Sequence, residues 1–145
     1  MPERILALDV GERRIGVSVS DPLGMTAQQL STLLRSRLQD DLRRLCELIA
    51  SYEVTEIVVG LPRNMDGSLG PQARKVQEFQ RHLAAACHLP MTSWDERLTS
   101  VAAKRAMVEQ GVKTGKHKER VDQLAAQLLL QSYLDFRRAQ RGRGA

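Results

Sequence analysis

Apolar positions in the first third of the chain follow the period of a β-strand. Residues 4–10 form an apolar run around one carboxylate, and apolar residues recur at every second position over 14–20. Both patterns are typical of strands in a covered sheet. Residues 25–33 predict a third, more weakly patterned strand, in which Gln28 and Gln29 indicate a sheet edge or a β-bulge.

Helical and strand periods alternate in the rest of the chain. Leu38, Leu42, Leu45 and Ile49 recur at helical spacing, which predicts an amphipathic helix. Shorter apolar runs and the turn residues between them predict the remaining elements. In chain order, the elements are a helix over 36–52, a strand over 56–61, a helix over 71–87, a strand over 89–94, a helix over 99–110 and a last helix over 119–138.

This order of elements predicts an α/β fold. The first three strands are joined by short turns, which is typical of antiparallel neighbours. The last two strands each follow a helix, and such crossovers are right-handed and join parallel strands. We therefore expect a mixed five-stranded sheet, with three antiparallel strands followed by two parallel ones, flanked by helices.

Length and charge limit the kinds of protein that this chain can be. Its 145 residues suit one domain, which we expect over residues 1–138, followed by a basic, flexible tail over 139–145. A net charge of +5 favours a polyanionic partner such as nucleic acid. Cys46 and Cys87 lack metal-binding spacing, which predicts reduced thiols in a cytoplasmic protein. No apolar run reaches the ~18 residues of a membrane span, so we expect no membrane partner.

Basic residues suggest where a polyanion would bind. Four of them surround Gly115, in a segment that the pattern predicts to be a loop, and two others follow predicted strands or turns. Such side chains bind backbone phosphates without reading sequence, although a solvated surface is an open alternative. The candidates for nucleic-acid binding are Arg14, Arg97, Lys113, Lys116, Lys118 and Arg120.

Three carboxylates are predicted to meet at one edge of the sheet. Asp9 lies near the end of the first strand, and Glu96 comes directly after the fifth. The carboxyl ends of parallel strands meet at the same sheet edge. Asp122 shares the otherwise apolar stripe of the last helix and therefore points towards the sheet. Simpler interpretations are open: Asp9 as a turn cap and Asp122 as a charge at a helix N-terminus.

Convergent carboxylates suit a particular kind of metal chemistry. Carboxylate oxygens are the ligands that Mg²⁺ and Mn²⁺ prefer. Two such ions about 4 Å apart can activate a water and stabilise the leaving oxygen in phosphodiester hydrolysis. The sequence therefore predicts a Mg²⁺ or Mn²⁺ site formed by Asp9, Glu96 and Asp122, with basic residues around it to hold a nucleic-acid backbone.

Four stretches of the sequence resemble a known family. They cover most of the chain, and the second and third together are highly specific. The sequence is similar to the YqgF/RuvX family of resolvase-like nucleases, which have a ribonuclease H-like fold. The matching stretches are LALDVGERRIGVSVSDPLG (6–24), IVVGLPRNMDGSLG (57–70), DERLTS (95–100) and VDQLAAQLLLQSYL (121–134).

This resemblance implies a metal-dependent endonuclease in which Asp9, Glu96 and Asp122 are the catalytic acids. Members of the family are associated with maturation of the 5′ end of the 16S rRNA precursor and with cleavage of Holliday junction DNA. Better-known junction resolvases of this fold carry a further acid one turn after the last-helix aspartate, where this chain has Ala125. Either Asp95 supplies a fourth metal ligand or the site has three. A homodimer is as open as a monomer.

Two other functions are open from the residues alone. A non-catalytic nucleic-acid-binding module would use the same basic residues, and metal-dependent cleavage of a branched substrate would distinguish the enzyme from it. Asp-x-Gly before a hairpin also resembles the phosphate loop of actin-like ATPases and sugar kinases. Those proteins close a cleft between two such domains, and this chain supplies one. The sequence does not choose between RNA and DNA, because nothing identifies a residue that reads the 2′-hydroxyl.

Overall fold

The computed structural model describes residues 3–99 and 115–144. These residues form five strands, three α-helices and one short 3₁₀ helix. The elements are β1 (Ile5–Val10), β2 (Arg14–Ser20), β3 (Ala27–Leu34), α1 (Leu38–Ser51), β4 (Glu56–Leu61), α2 (Pro71–Cys87), β5 (Met91–Asp95), the 3₁₀ helix Glu96–Leu98 and α3 (Gly115–Gly144).

The five strands form one sheet in the order β3-β2-β1-β4-β5. β1, β2 and β3 pair antiparallel, and β4 and β5 continue the sheet parallel to β1. The predicted mixed sheet is therefore confirmed. β1 lies at the centre, and all six of its residues are buried, which explains its continuous apolar run.

Helices cover both faces of the sheet. α1 and α2 pack on one face, where alternate residues such as Leu6, Leu8 and Val59 enter the core. α3 covers the other face, where the intervening residues, such as Ala7 and Val58, contact it. Two cores, one on each side of a single sheet, follow from the strand alternation.

The edge strand β3 carries the irregularity that its glutamines indicated. The pairing with β2 shifts register between Val17 and Ser18, because Val17 faces Ser31 whereas Ser18 faces Gln29. This is a β-bulge, which adds twist and is common at sheet edges. Gln29 also donates to the side chain of Gln127 in α3 at 2.9 Å. The prediction of an edge or a bulge is confirmed on both counts.

α3 is longer than the sequence pattern predicted. It begins at Gly115, so the segment predicted to be a basic loop is helical from that residue onwards, and it continues to Gly144 through the segment assigned to a flexible tail. The helix predicted over 99–110 lies outside the described residues, apart from residue 99. None of the helices in the described ranges is long and apolar enough to cross a membrane.

A buried carboxylate ties the start of α1 to the segment after β3. Asp41 is completely buried. It accepts hydrogen bonds from the backbone N–H of Ser36 at 3.0 Å, from Nη2 of Arg44 at 2.6 Å and from Nε of Arg35 at 3.4 Å. Burial alone would raise the pKa of Asp41, but these donors together lower it below the ordinary carboxyl value.

We expect Asp41→Asn to lower the free energy of unfolding by about 2 kcal/mol near pH 7, because the network loses a charged acceptor. Since the folded-state pKa of Asp41 lies below the unfolded-state pKa, its contribution is present above the unfolded value and is lost as pH falls through the folded value. Urea unfolding of the wild type and of Asp41→Asn, from neutral to strongly acidic pH, measures this pH dependence. The free energies of unfolding of the two proteins should converge in acid.

Asp40→Asn is the matched control for this experiment. Asp40 is the neighbouring residue on α1, and its carboxylate is 44% exposed and 3.3 Å from Arg43. Exposed pairs of this kind contribute about 0–1 kcal/mol. The free energy of unfolding of Asp40→Asn should therefore stay close to that of the wild type at every pH. A stability difference for Asp41→Asn that is constant down to strong acid would contradict the role of its charge.

Candidate active site

Asp9 lies on the face of the central strand that α3 covers. Ile5 and Ala7 belong to the core beneath α3, and the alternate residues Leu6 and Leu8 belong to the opposite core. Strand alternation therefore places Asp9 on the α3 face. Asp9 is 5% exposed, and a carboxylate buried to this degree needs charged partners, hydrogen bonds or a metal ion.

Gly16 lets the last helix approach Asp9. It lies directly opposite Asp9 in the pairing of β1 and β2, so a side chain at this position would point to the same face. A Cβ atom at Gly16 would overlap the backbone carbonyl group of Asp122. Two residues further on, the hydroxyl of Ser18 donates to the carbonyl oxygen of Ala126 at 2.7 Å. The backbone of Asp122 therefore lies over β2, one strand away from Asp9.

Gly60 has the corresponding role on the other side of Asp9. Leu8 pairs with Val59 in the parallel ladder of β1 and β4, so the next residue in each strand places Gly60 beside Asp9. A Cβ atom at Gly60 would lie 2.9 Å from Oε1 of Glu96. The carboxylate of Glu96 therefore occupies the space over β4, one strand away from Asp9.

The three acids predicted as metal ligands lie on elements that meet at one edge of the sheet. A row of Gly16, Asp9 and Gly60 crosses three strands, and the glycines leave room for the two elements that bring the other acids. Within residues 3–99 and 115–144, no three His, Cys, Asp or Glu side chains already form a metal-binding cluster. Their use as metal ligands therefore stays a prediction.

The position of Asp122 in its helix removes the interpretation that this residue is a charge at a helix N-terminus. Because α3 begins at Gly115, Asp122 lies about two turns inside the helix, beyond the first turn in which the helix dipole acts on a charge. One turn later, Ala125 is 4% exposed. The contact between α3 and β2 therefore buries an alanine at the position where the resemblance to junction resolvases implies a further acid.

Asp95, the candidate fourth ligand, is engaged by arginines. Its carboxylate accepts hydrogen bonds from the backbone N–H of Arg97 at 2.9 Å and from Nη2 of Arg97 at 2.7 Å, and Nε of Arg63 lies 3.9 Å away. Arg97 lowers the pKa of the Asp95 carboxyl group below its ordinary value. Asp95 pairs with Leu61, whose side chain enters the core on the face opposite to Asp9. These contacts orient the carboxylate of Asp95 towards Arg97, on the face of the sheet opposite to Asp9.

Arg97 also holds the loop between β4 and α2. Its Nη1 donates to the backbone carbonyl of Met65 at 3.4 Å, and its guanidinium lies against Gly67. Gly67 has a φ of 89°, a conformation that glycine adopts without strain, and its carbonyl accepts from Arg63 at 2.9 Å. The loop is thereby attached to the 3₁₀ turn that carries Glu96.

Arg14 is the predicted phosphate-binding residue that lies on the same face and edge as Asp9. It begins β2, two residues before Gly16, and strand alternation places both on the α3 face. Its Nε is buried and, in the part of the chain that the structure describes, has no hydrogen-bond partner. Buried donors of this kind are rare, and the guanidinium as a whole is the group of Arg14 that could bind a phosphate oxygen.

The remaining basic candidates lie at the start of α3 or outside the described residues. Lys116 and Lys118 belong to the first turn of α3, and Arg120 is exposed. Lys113 lies outside the described residues. The described members of this group therefore share the end of α3 that carries Asp122.

Arginines near the other end of α3 are paired within the fold. Arg137 lies 2.7 Å from Glu3 and 3.1 Å from Glu56, and Arg141 lies 3.1 Å from Glu3. Glu3 precedes β1, so these pairs lie at the end of the sheet opposite to Asp9. Carboxylates of the same chain thus neutralise part of the positive charge on the last two turns.

Sequence reasoning did not identify the two glycines of the site. Gly16 and Gly60 both lie inside segments that the pattern predicts as strands, over 14–20 and 56–61. An isolated glycine inside a strand pattern often marks a close approach of another backbone or side chain. That signal is present twice, at positions that become neighbours of Asp9 only once the strand register is known.

Comparison with known proteins places the chain in a nuclease family. A sequence profile of RuvX, described as a Holliday junction resolvase, matches residues 3–136. A protein of Moorella thermoacetica is 54% identical over 132 residues, which are 91% of this chain and 94% of that protein. A protein of Thermoanaerobacter pseudethanolicus is 50% identical, with 91% and 96% coverage. Both are named "Putative pre-16S rRNA nuclease".

Solved structures of junction resolvases share the fold. RuvC of T. thermophilus in complex with a Holliday junction substrate superimposes with a TM-score of 0.60 at 16% identity, over 92% of this chain and 96% of that one. The fowlpox virus Holliday junction resolvase gives 0.51 at 14% identity, over 91% and 98%. At these identities the likeness concerns the fold, and it confirms the predicted ribonuclease H-like architecture.

We expect Gly16→Ala to destabilise the protein by about 1–3 kcal/mol, the typical cost of overpacking, because the new methyl group would displace Asp122 and α3 from the sheet. Thermal unfolding measures the stability, and the chemical shifts of residues 120–126 report the displacement of the helix.

Gly142→Ala is the matched control. Gly142 lies in α3, the helix that Gly16→Ala would displace, and nothing lies within 4 Å of a Cβ atom added there. Alanine is the better helix former by roughly 0.5–1 kcal/mol, so this variant should be unchanged or slightly more stable. Wild-type stability and unchanged shifts in Gly16→Ala would contradict the close approach.

Proposed function

We propose that this chain, which belongs to the RuvX family, is an endonuclease that uses a divalent metal ion to hydrolyse phosphodiester bonds in structured nucleic acid. One observation carries this proposal. A buried carboxylate, Asp9, lies between two glycines, and the backbone of Asp122 and the carboxylate of Glu96 fill the space that those glycines leave.

The residues at this edge fit Mg²⁺ or Mn²⁺. All three acids offer carboxylate oxygens, the hard ligands that these ions prefer. A Cβ atom at Gly16 or Gly60 would collide with the element that brings an acid, so the backbone there is shaped for their approach. Asp9, Glu96 and Asp122 would hold the ion. Bound there, the metal would activate the attacking water and stabilise the leaving oxygen.

The surrounding residues bind and orient the substrate in this proposal. The guanidinium of Arg14, which lies on the same face of the sheet as Asp9, binds an oxygen of the substrate backbone. Asp95 and Arg97 fix the short turn from which Glu96 extends. During hydrolysis, the water oxygen bonds to phosphorus, the bond from phosphorus to one nucleotide oxygen breaks, and a carboxylate of this edge accepts the water proton.

We propose precursor 16S rRNA as the first substrate, because relatives that are 54% and 50% identical over nine-tenths of this chain carry that substrate in their name. Holliday junction DNA is the second candidate, because the matching family profile is described by that activity. Side-by-side cleavage of the two, each with and without Mn²⁺, decides between them.

The remaining alternative is a module that binds nucleic acid without cutting it. Membership in a family named for nucleases favours the enzyme over this module and over an actin-like nucleotide-binding domain. Binding of both substrates with no cleavage of either in Mg²⁺ or Mn²⁺ would support the module and overturn the enzyme.

We expect Asp9→Asn to lower cleavage by at least about a hundredfold, because it removes a ligand charge that supports several kcal/mol of transition-state stabilisation. Asparagine keeps the shape of the side chain, so the fold should persist. Initial rates with saturating Mn²⁺ give the first readout. The second is independent of activity: Mn²⁺ should raise the unfolding temperature of the wild type but not that of Asp9→Asn.

The control for this variant is Asp135→Asn. Asp135 is an exposed carboxylate on the outside of α3, 2.6 Å from Arg138. Cleavage and the Mn²⁺-induced shift should both match the wild type in this protein. Full activity of Asp9→Asn at saturating Mn²⁺ would remove Asp9 from the site.

We expect Arg14→Ala to weaken binding to duplex DNA of any sequence, because the contact is to the backbone. Loss of one phosphate contact should reduce the slope of log affinity against log salt by about 0.9. Fluorescence anisotropy at several salt concentrations measures the slope. Arg138→Ala, which removes an exposed arginine paired with Asp135, should leave it unchanged, and an unchanged slope in Arg14→Ala would exclude the contact.

A further inference from the structure

Arg35 connects the turn beside the candidate active site to the rest of the fold. It follows β3 directly and contacts three other parts of the chain. Its Nη1 donates to the carbonyl oxygen of Gly11 at 3.0 Å, and its backbone N–H donates to the carbonyl oxygen of Arg13 at 2.7 Å. Nε lies 3.4 Å from Asp41 in α1. The guanidinium lies 5.0 Å from the ring centre of Phe79 in α2.

The turn that Arg35 holds joins Asp9 to Arg14. It consists of the residues between β1 and β2, and it is closed by a hydrogen bond from the N–H of Gly11 to the carbonyl of Arg14 at 2.8 Å. A Cβ atom at Gly11 would lie 3.0 Å from that carbonyl oxygen, so the turn is tight. Glu12 and Arg13 at its tip are exposed. Glu12 lies 3.2 Å from Lys75 of α2, an exposed ion pair of a kind that contributes about 0–1 kcal/mol.

Asp41 gives Arg35 a fixed position. A long arginine side chain has many rotamers, and a single hydrogen bond to a carbonyl does not select one. The carboxylate of Asp41 is fully buried and is oriented by Ser36 and Arg44. The ring of Phe79 supports the guanidinium by a cation–π contact. The guanidinium is therefore held on two sides before it reaches the turn.

We infer that Arg35 is a positioning residue, which fixes the Gly11–Arg14 turn and through it places Arg14 on the edge that carries Asp9. Arg35 does not touch the substrate in this inference, because its side chain lies on the side of α1 and α2, whereas Arg14 lies on the face of α3. The inference rests on the proposed function insofar as Arg14 binds the backbone of nucleic acid.

Energetic coupling between Arg35 and Arg14 distinguishes a positioning role of Arg35 from a merely structural one. If Arg35 acts through Arg14, its replacement should matter while Arg14 is present and lose its effect once Arg14 is gone. Such interaction energies between connected residues are measurable by a double-mutant cycle. A general loss of stability would instead weaken binding by the same factor in both backgrounds.

The experiment compares Arg35→Gln in the wild-type and Arg14→Ala backgrounds. We expect Arg35→Gln to weaken duplex binding by about fivefold to tenfold and to reduce the salt slope, as Arg14→Ala does. In the Arg14→Ala background the same change should weaken binding by less than about twofold. Equal factors in the two backgrounds would overturn the inference. If Arg35→Gln unfolds, Arg35→Lys replaces it, because lysine keeps the charge but lacks the planar fork. A smaller effect of Arg35→Lys in the Arg14→Ala background would support the inference, and equal effects in both backgrounds would overturn it.

Arg137→Gln is the matched control. Arg137 is 22% exposed and pairs with Glu56 and Glu3 at the opposite end of the sheet, and Arg35 is 25% exposed and pairs with Asp41. Both changes remove an arginine from a partly buried ion pair. Arg137→Gln should therefore alter the unfolding temperature without altering the salt slope. A reduced slope in Arg137→Gln would mean that loss of stability alone weakens binding, and this would overturn the inference.

Hydrogen exchange tests, without any nucleic acid, whether Arg35 holds the Gly11–Arg14 turn. The amide of Gly11 is bonded to Arg14 within the turn, and it should exchange at least about tenfold faster in Arg35→Gln than in the wild type or Arg137→Gln. Unchanged protection of the Gly11 amide would overturn the inference even if Arg35→Gln also weakens binding. A wild type that binds neither rRNA nor junction DNA would overturn the proposed function instead, and the exchange result would still decide whether Arg35 holds the turn.

Discussion

The close contact between α3 and β2 is the constraint on which the candidate site depends. Gly16 has no side chain, so the carbonyl group of Asp122 can lie against the sheet. Ser18 then binds the carbonyl of Ala126 at 2.7 Å, and the second core follows beneath the helix. A residue of ordinary size at Gly16 would lift the helix, and with it the only acid that α3 brings towards Asp9 among the described residues.

The arginines at the two ends of the sheet differ in how far they are paired within the fold. At one end Asp9 is accompanied by Arg14, whose buried Nε has no hydrogen-bond partner among the described residues. At the other end Arg137 and Arg141 are satisfied by Glu3 and Glu56. The net charge of +5 therefore says that the chain suits a polyanion but not where the polyanion lies. Pairing within the fold, which composition does not reveal, makes that distinction.

Strand and helix periods were enough to predict most of the architecture. β2, β4 and α2 have the predicted bounds, because each is a clear periodic segment between turn residues. The start of α3 was predicted four residues too late, since Gly115 suggested a loop, whereas a glycine can also begin a helix. The edge to which Asp9 and Glu96 belong followed from topology. The pairing of Asp95 with Arg97 did not, because a contact between neighbouring residues at a strand end depends on the local turn.

The long chain separation between the two sides of the α3 contact also has a consequence for how the protein is made. Ser18 and Ala126 are 108 residues apart, and a ribosome adds roughly 5–20 residues per second. For roughly 5–20 s after β2 is synthesised, the face that carries Ile5 and Ala7 has no helix to cover it. During this interval the nascent chain exposes an apolar sheet face, which is a target for chaperones. It also lacks Asp122, so the proposed nuclease would remain unable to cut RNA until synthesis of its last helix.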